Sequence, residues 1–286
     1  MAPRAPHAVL RVVCRDRPGL VADVAGLLFR LGANILHADD HIDPQVDTFF
    51  QRVEFTLPAG ADRTDLAQSI RTACDAWEMR SSLQFSDEAQ RVAILCSRRG
   101  HCALDLLARH RAGELHCEIP FVLSNHADLE LEVTRRGYGF VHEPIQGTDK
   151  VAQEARILER LRREQVDLVV LARYMQVLTP PFVNAYPERI INIHHSFLPA
   201  FAGANPYVQA YGRGVKIIGA TSHYVSAALD EGPIISQGVT HVSHRDMVED
   251  MERKGRDLER TVLAEAVRWH LEGRVIAYAN KTVVFE

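Results

Sequence analysis

The 286-residue sequence predicts an α/β protein in two parts: a βαββαβ block, then a mostly parallel, doubly wound sheet with helices on both faces. Three observations carry that expectation. Apolar spacing switches repeatedly between the alternation of strands and the three-to-four-residue spacing of helices. Strand-like runs in the later part are continuously apolar, as in strands buried on both faces. A chain of this length accommodates two cores more comfortably than one.

The first block is expected over 1–86. Positions 8–14 read as a strand, and Asp16-Arg17-Pro18-Gly19 as a turn. Leu20, Val24, Leu27, Leu28 and Leu31 share one helical face. Gly32 then ends that helix, because glycine accepts the left-handed backbone that follows a cap. Segments 34–43 and 48–57 are strands around Asp43-Pro44-Gln45-Val46-Asp47. Asp62 caps a helix over 65–76, and Asp65 sits favourably at its positive end. A strand over 78–85 completes the order of a ferredoxin-like unit, and polar 86–90 reads as a linker.

The second block is expected over 87–286. Strands at 91–97, 117–124, 139–143, 167–172 and 190–194 are interleaved with helices at 102–110 and 151–164. Such alternation builds a parallel sheet covered on both faces. The last third differs: 215–225 and 234–242 are strand-like, 246–271 is a long helix, and 275–285 is a hairpin. Ser243 and Asp246 form a cap pair for that helix. Its stripe of Met247, Met251, Leu258, Val262, Leu263, Ala266 and Trp269 marks a core face rather than a cofactor site.

Composition excludes several classes. With 47% hydrophobic and 24% charged residues and a formal charge of -4, the chain is neither disordered nor generally basic, so no nucleic-acid partner is expected. No apolar run approaches the ~20 residues of a membrane helix, and the first residues lack a signal-peptide core. The expected location is therefore cytoplasmic. Five cysteines, Cys14, Cys74, Cys96, Cys102 and Cys117, are odd in number and lack a C-x-x-C, which reads as reduced, partly buried thiols.

The densest polar cluster in an apolar setting is Asn192-Ile193-His194-His195-Ser196, after Ile190-Ile191. On a strand, Asn192 and His194 share a face. The amide can donate to a developing oxyanion, and the imidazole can exchange a proton near neutral pH. The carboxyl ends of strands are where open α/β sheets place their sites. Asp230 lies in a loop before the apolar run at Pro233-Ile234-Ile235, where a carboxylate can act as a base or hold an imidazole. The plain alternatives are a satisfied structural Asn–His pair and an ordinary turn-forming Asp. A metal site is the rival for so many histidines. His194 and His195 point opposite ways on a strand, and His241-x-x-His244 lacks a carboxylate or cysteine at ligand spacing, so no metal is expected.

Asn192-x-His194-x-Ser196-x-Leu198-Pro199, with His223 and Asp230-x-Gly232-Pro233-Ile234-Ile235-x-Gln237, resembles the folate-dependent formyltransferase superfamily. That superfamily includes glycinamide ribonucleotide formyltransferase, methionyl-tRNA formyltransferase and formyltetrahydrofolate deformylase. The resemblance implies a catalytic trio of Asn192, His194 and Asp230, supported by His223 and Ser196. The segment Leu171-Ala172-Arg173-Tyr174-Met175-Gln176-Val177-Leu178 is similar to the pterin-binding stretch, implying folate contacts from Arg173, Tyr174, Met175, Val177 and Leu178, with Ala228 and Gly232 across the cleft.

Runs 194–201 and 206–221 resemble the deformylase branch most closely. Asp16-Arg17-Pro18-Gly19-Leu20-Val21 with Gly32-Ala33-Asn34-Ile35 resembles an ACT domain. It implies a homo-oligomer and an amino-acid effector, methionine or glycine, held by Asp16, Pro18, Gly19, Asn34 and Ile35. The ribonucleotide branch carries a Gly-Asn-Gly-Ser loop whose backbone N–H groups cradle phosphate. Here Ser97-Arg98-Arg99-Gly100-His101-Cys102 keeps one glycine, which removes that nest, and no tRNA-binding extension is expected. The implied activity is hydrolysis of 10-formyltetrahydrofolate to formate and tetrahydrofolate, with water as acceptor and no cofactor beyond the folate. This belongs to one-carbon metabolism and purine biosynthesis. The alternatives are a formyltransferase with an unidentified acceptor and a regulator without catalysis.

Overall fold

The computed structural model describes residues 6–58, 60–145, 149–200 and 206–286. Phe201 of the deformylase-like run and the first five residues, read above for a signal peptide, lie outside them. The chain forms two compact units, Met1–Ala89 with Glu272–Ile276 and Val283–Glu286, and Gln90–Leu271 with Ala277–Thr282. The boundary expected after 86 thus falls after 89, and the C-terminal hairpin is divided, Glu272–Ile276 and Val283–Glu286 packing with the first unit and Ala277–Thr282 with the second.

The first unit runs β1 (His7–Arg15), α1 (Leu20–Arg30), β2 (Ile35–Asp43), β3 (Thr48–Thr56), α2 (Arg63–Ala76) and β4 (Arg80–Phe85). Its sheet has the antiparallel order β2-β3-β1-β4. Asp62 caps α2 by accepting from the N–H groups of Thr64 and Asp65. Leu10, Leu28, Phe55 and Ile70 are among the buried core. Strand β3 is buried along nearly its whole length, including Arg52. The Arg52 guanidinium donates to the carbonyls of Gly273 (3.2 Å) and Glu272 (3.1 Å) and faces Glu54 at 3.5 Å, while Arg11 donates to Val275 O at 2.8 Å. Burial lowers the Arg52 pKa against the pull of Glu54. A buried guanidinium needs such partners, and these are what bind the C-terminal segment to the first sheet.

The second unit begins with β5 (Gln90–Cys96), α3 (His101–Arg111), β6 (Cys117–Glu118), β7 (Val122–Ser124), α4 (Glu130–Thr134), β8 (Phe140–His142) and α5 (Lys150–Arg163). It continues with β9 (Leu168–Ala172), α6 (Pro180–Ala185), β10 (Ile190–His194), α7 (Pro206–Arg213), β11 (Ile217–Tyr224), β12 (Ile234–His241) and α8 (Val248–Leu271). Strands β13 (Val275–Tyr278) and β14 (Lys281–Val284) form the final hairpin. The large sheet is ordered β12-β11-β10-β9-β5-β7-β8, parallel from β10 to β8 and antiparallel at β11 and β12.

Three expectations need correction. The strand expected at 117–124 is two strands, because Pro120 has no N–H to offer a ladder. Helices α4, α6 and α7 went unpredicted, being too short to show a helical period. Helix α8 starts at Val248, where the Met247 N–H is accepted by Asp250 Oδ2 at 3.1 Å. The Ser243–Asp246 pair instead closes the preceding turn, the Ser243 N–H donating to Asp246 Oδ2 at 2.6 Å. No helix among the described residues is long and apolar enough to cross a membrane.

Candidate active site

The chain passes from β5 outward through β7 and β8, then returns to build β9 and β10 on the other side. This reversal is the topological switch at which α/β sheets bind ligands. The loops after β5, β9 and β10 open there onto a cleft of about 830 Å³.

Ile190, Ile191 and Ile193 are buried and anchor β10 in the sheet. The two-residue period then turns Asn192 and His194 to one face. Across the antiparallel neighbour, Asn192 pairs with His223 and His194 with Thr221. Asn192 Nδ2 is 3.3 Å from His223 Nε2, and His223 Nδ1 is 2.9 Å from the Tyr224 carbonyl. A carbonyl only accepts, so His223 carries its proton on Nδ1 and its Nε2 accepts from the Asn192 amide. Burial lowers the His223 pKa, partly opposed by that backbone bond.

Asp230 arrives on the loop between β11 and β12. Its own backbone is left-handed, with φ 56, and the Tyr224 N–H donates to Pro233 O at 2.9 Å where the loop closes. A Cβ on Gly232 would stand 1.8 Å from the Tyr224 carbonyl, so only glycine allows this close approach. The result places Asp230 Oδ2 3.3 Å from His194 Nδ1 and Oδ1 3.8 Å from His223 Nε2. The His194 hydrogen bond holds the Asp230 carboxyl below its usual range, against the opposing effect of burial. His194 is 6% exposed, and its Nε2 has no hydrogen-bond partner among the described residues.

The expected folate segment is partly where the resemblance implies. Arg173, Tyr174, Met175, Val177, Leu178 and Ala228 line the cleft. Met175 and Val177 are exposed large apolar residues there, as is Leu229, the kind of surface that receives a flat ring. The Met175 N–H donates to Ser97 Oγ (3.1 Å), which in turn donates to Asn125 Oδ1 (2.7 Å), bracing the segment against β5. Gly232 and Ser196 do not line the cleft. Gly232 packs on β11, and Ser196 is buried with its carbonyl accepting from Thr221 Oγ1 at 2.9 Å.

Sequence reasoning missed a buried polar cluster beside the trio. Glu259 of α8 is 1% exposed, accepts from Tyr207 Oη at 3.0 Å, and lies 2.7 Å from His101 Nε2 and 3.5 Å from Arg173 Nε. Burial raises its pKa, but the His101 bond and the Arg173 charge more than offset that, so Glu259 is held ionised. Gly255, one turn earlier, leaves room for the Tyr207 side chain, whose hydroxyl oxygen lies 1.9 Å from where a Cβ would be. The available signal was a glutamate on the apolar stripe of α8, since carboxylates are rarely fully buried unless paired. His101, Cys102 and Glu259 bring ligand-type atoms within 4.8 Å of one another, a grouping that sequence spacing did not reveal. The Arg173 charge and a thiol whose pKa burial strongly raises oppose a cation there.

The expected effector residues are not brought together within one copy. The Asp16–Gly19 turn (16–19) follows Arg15, which pairs with Thr48, whereas Ile35 pairs with Phe55 at the far end of β3. Gly19, with φ 92, opens α1 without a side-chain cap.

A family model described as formyl transferase matches residues 90–267, and an ACT domain model matches residues 8–68. The chain is 51% identical over 279 residues, 97% of its length, to a formyltetrahydrofolate deformylase of Synechocystis sp., covering 98% of that protein. It is 47% identical to a formyltetrahydrofolate deformylase of Bacillus subtilis, over 96% of this chain and 93% of that one. Among solved structures, a formyltetrahydrofolate deformylase from Pseudomonas syringae superposes with a TM-score of 0.96 at 43% identity, covering 100% of this chain and 96% of that one. A glycinamide ribonucleotide transformylase from Symbiobacterium toebii gives a TM-score of 0.67 at 36% identity over 72% of this chain and 98% of that one.

Proposed function

We propose, from the premise that the chain belongs to the formyltetrahydrofolate deformylases of the formyl transferase family, that Asn192, His194 and Asp230 hydrolyse 10-formyltetrahydrofolate to formate and tetrahydrofolate. The single observation that carries the residue assignment is the convergence of these three side chains on the floor of one large cleft. Nothing in folding alone requires a buried imidazole to keep an unpartnered nitrogen beside an ionised carboxylate.

The geometry orders the steps. The exposed apolar segment at Met175 and Val177 receives the pterin, with Ala228 opposite. Asp230 accepts a hydrogen bond from the Nδ1–H of His194, which leaves the unprotonated Nε2 as a base. Nε2 takes a proton from water as the water oxygen attacks the formyl carbon, and the imidazolium is stabilised by Asp230. The Asn192 amide, oriented by its bond to His223, directs its other N–H at the oxyanion, an interaction worth about 3 kcal/mol. When the tetrahedral intermediate collapses, the C–N bond breaks, the folate nitrogen takes the proton from His194, and formic acid leaves and ionises. No metal is proposed, because the acid, base and oxyanion donor are all supplied by side chains.

Among the described residues the outer edge of β2 has no strand partner, and Phe29 is 81% exposed, features that favour a second copy docking along the first unit. The effector, methionine or glycine, is then proposed to bind where the Asp16–Gly19 turn (16–19) of one copy meets Asn34 and Ile35 of the next. Its carboxylate would lie against the positive end of α1. A cytoplasmic setting and a role in balancing one-carbon units for purine biosynthesis complete the reading. The test is formate release from 10-formyltetrahydrofolate with purified protein and no other substrate. Formation of product only when an amine acceptor is added would replace hydrolysis with transfer.

A further inference from the structure

We propose that the guanidinium of Arg173 forms a subsite for the small carboxylate product, formate, beside His194; the choice of formate rests on the hydrolytic reading above. Arg173 directly follows β9, and the register Asn192 with Leu171 carries it alongside His194 at the end of β10. Its backbone has φ 62, a left-handed conformation that a long side chain adopts only where its surroundings demand it. The residue is 7% exposed, yet it lines the cleft.

Its charge is under-satisfied. Among the described residues the guanidinium has one ion-pair contact, Nε to Glu259 Oε2 at 3.5 Å, and Nε is buried without a hydrogen bond. A guanidinium offers five N–H donors, and a buried charge is costly unless its donors are used. Glu259 is already shared with His101 and Tyr207 and meets only the Nε side, so the terminal nitrogens of this cleft-lining residue have no hydrogen-bond partner among the described residues. Two parallel N–H groups match the two oxygens of a planar carboxylate. The neighbouring His195 adds no competing charge, since burial, followed by the charge of Arg173, lowers its pKa to about 4. The other carboxylates available are those of the folate glutamate. They are separated from the formyl nitrogen by an aromatic ring and an amide, too far to reach a group beside His194 while the formyl carbon lies at the trio.

The test uses the full-length protein and 13C-labelled formate, with binding read from exchange broadening of the formate signal. Wild type should broaden the signal saturably. R173M should weaken formate roughly tenfold to a hundredfold, as loss of charge-assisted hydrogen bonds predicts. R173K keeps the charge beside Glu259 and covers failure of R173M to fold; without the fork it should weaken formate by roughly severalfold. Formate affinity unchanged in the folded variants overturns the subsite. So does a defect confined to the KM of the full substrate that vanishes with a 10-formyl pteroate lacking glutamate, because that assigns Arg173 to the tail. Formate binding and formate release are separate measurements, so failure of the subsite and failure of the hydrolytic reading are told apart.

Discussion

His194 Nδ1 lies 3.3 Å from Asp230 Oδ2, joining the end of strand β10 to the loop between the antiparallel strands β11 and β12. In the proposed mechanism this contact assigns the two ring nitrogens different tasks. Nδ1 is engaged by Asp230, and Nε2, without a hydrogen-bond partner among the described residues, is the nitrogen proposed as base.

Asp230→Asn keeps the shape of the loop and removes the charge that stabilises an imidazolium. Turnover should fall by ~10²-fold or more, the scale of lost acid–base help. Folate affinity, measured by fluorescence titration, should change little. Near-normal formate release by this variant would remove Asp230 from the mechanism.

Asn192→Ala should lower turnover by ~10²–10³-fold through loss of an oxyanion donor. His194→Ala should be comparably damaging. Because the two act on one intermediate, the double variant should be far less than multiplicative. Steady-state kinetics of the four proteins provides the check, and independent multiplicative losses would mean that the residues do not share a site.

The Asp230 carboxyl also links stability to pH. Its folded pKa lies below the unfolded value of 3.8, chiefly through the His194 hydrogen bond. The sign follows: this contribution is fully present above 3.8 and is lost as pH falls through the lowered folded value. The stability difference between wild type and Asp230→Asn should therefore be constant near neutrality and drift against wild type below 3.8. Urea unfolding across that acid range measures it. A constant difference throughout would contradict the depressed pKa.

Gly232→Ala places a methyl group 1.8 Å from the Tyr224 carbonyl, so the loop must move. The cost should be about 1–3 kcal/mol, as for other overpacked positions. Turnover should drop as well, because Asp230 moves with the loop. Denaturant midpoint and kcat are the measurements, and normal values of both would show that the loop bears no such constraint.

Phe29→Asp tests the assembly without truncating the chain. At 81% exposure Phe29 contributes little to its own core, so the protomer should remain folded. Its mass by light scattering should fall to that of a smaller species, and calorimetric binding of methionine or glycine should weaken with it. An unchanged mass would move the interface elsewhere.

Local physics explains what could be read without coordinates. The two-residue period of β10 was enough to turn Asn192 and His194 to one face. Asp62 announced the start of α2, and Gly32 the end of α1, because capping acts within a few residues. The same short reach explains the failures at α4, α6 and α7, which are shorter than a usable period, and at 117–124, where apolar character hid a proline break. By itself, then, the sequence determined the order of the main elements, the α/β class and the face on which the reactive amide and imidazole lie. Tertiary structure alone decided that Asp230 reaches His194 and that Glu259 meets Arg173 and His101. It also decided that Arg52 binds the carbonyls of Glu272 and Gly273, and that Asp16 and Asn34 stand apart. These pairings depend on strand register and loop path across long sequence separations, and no periodicity or local propensity along the chain encodes such a distance.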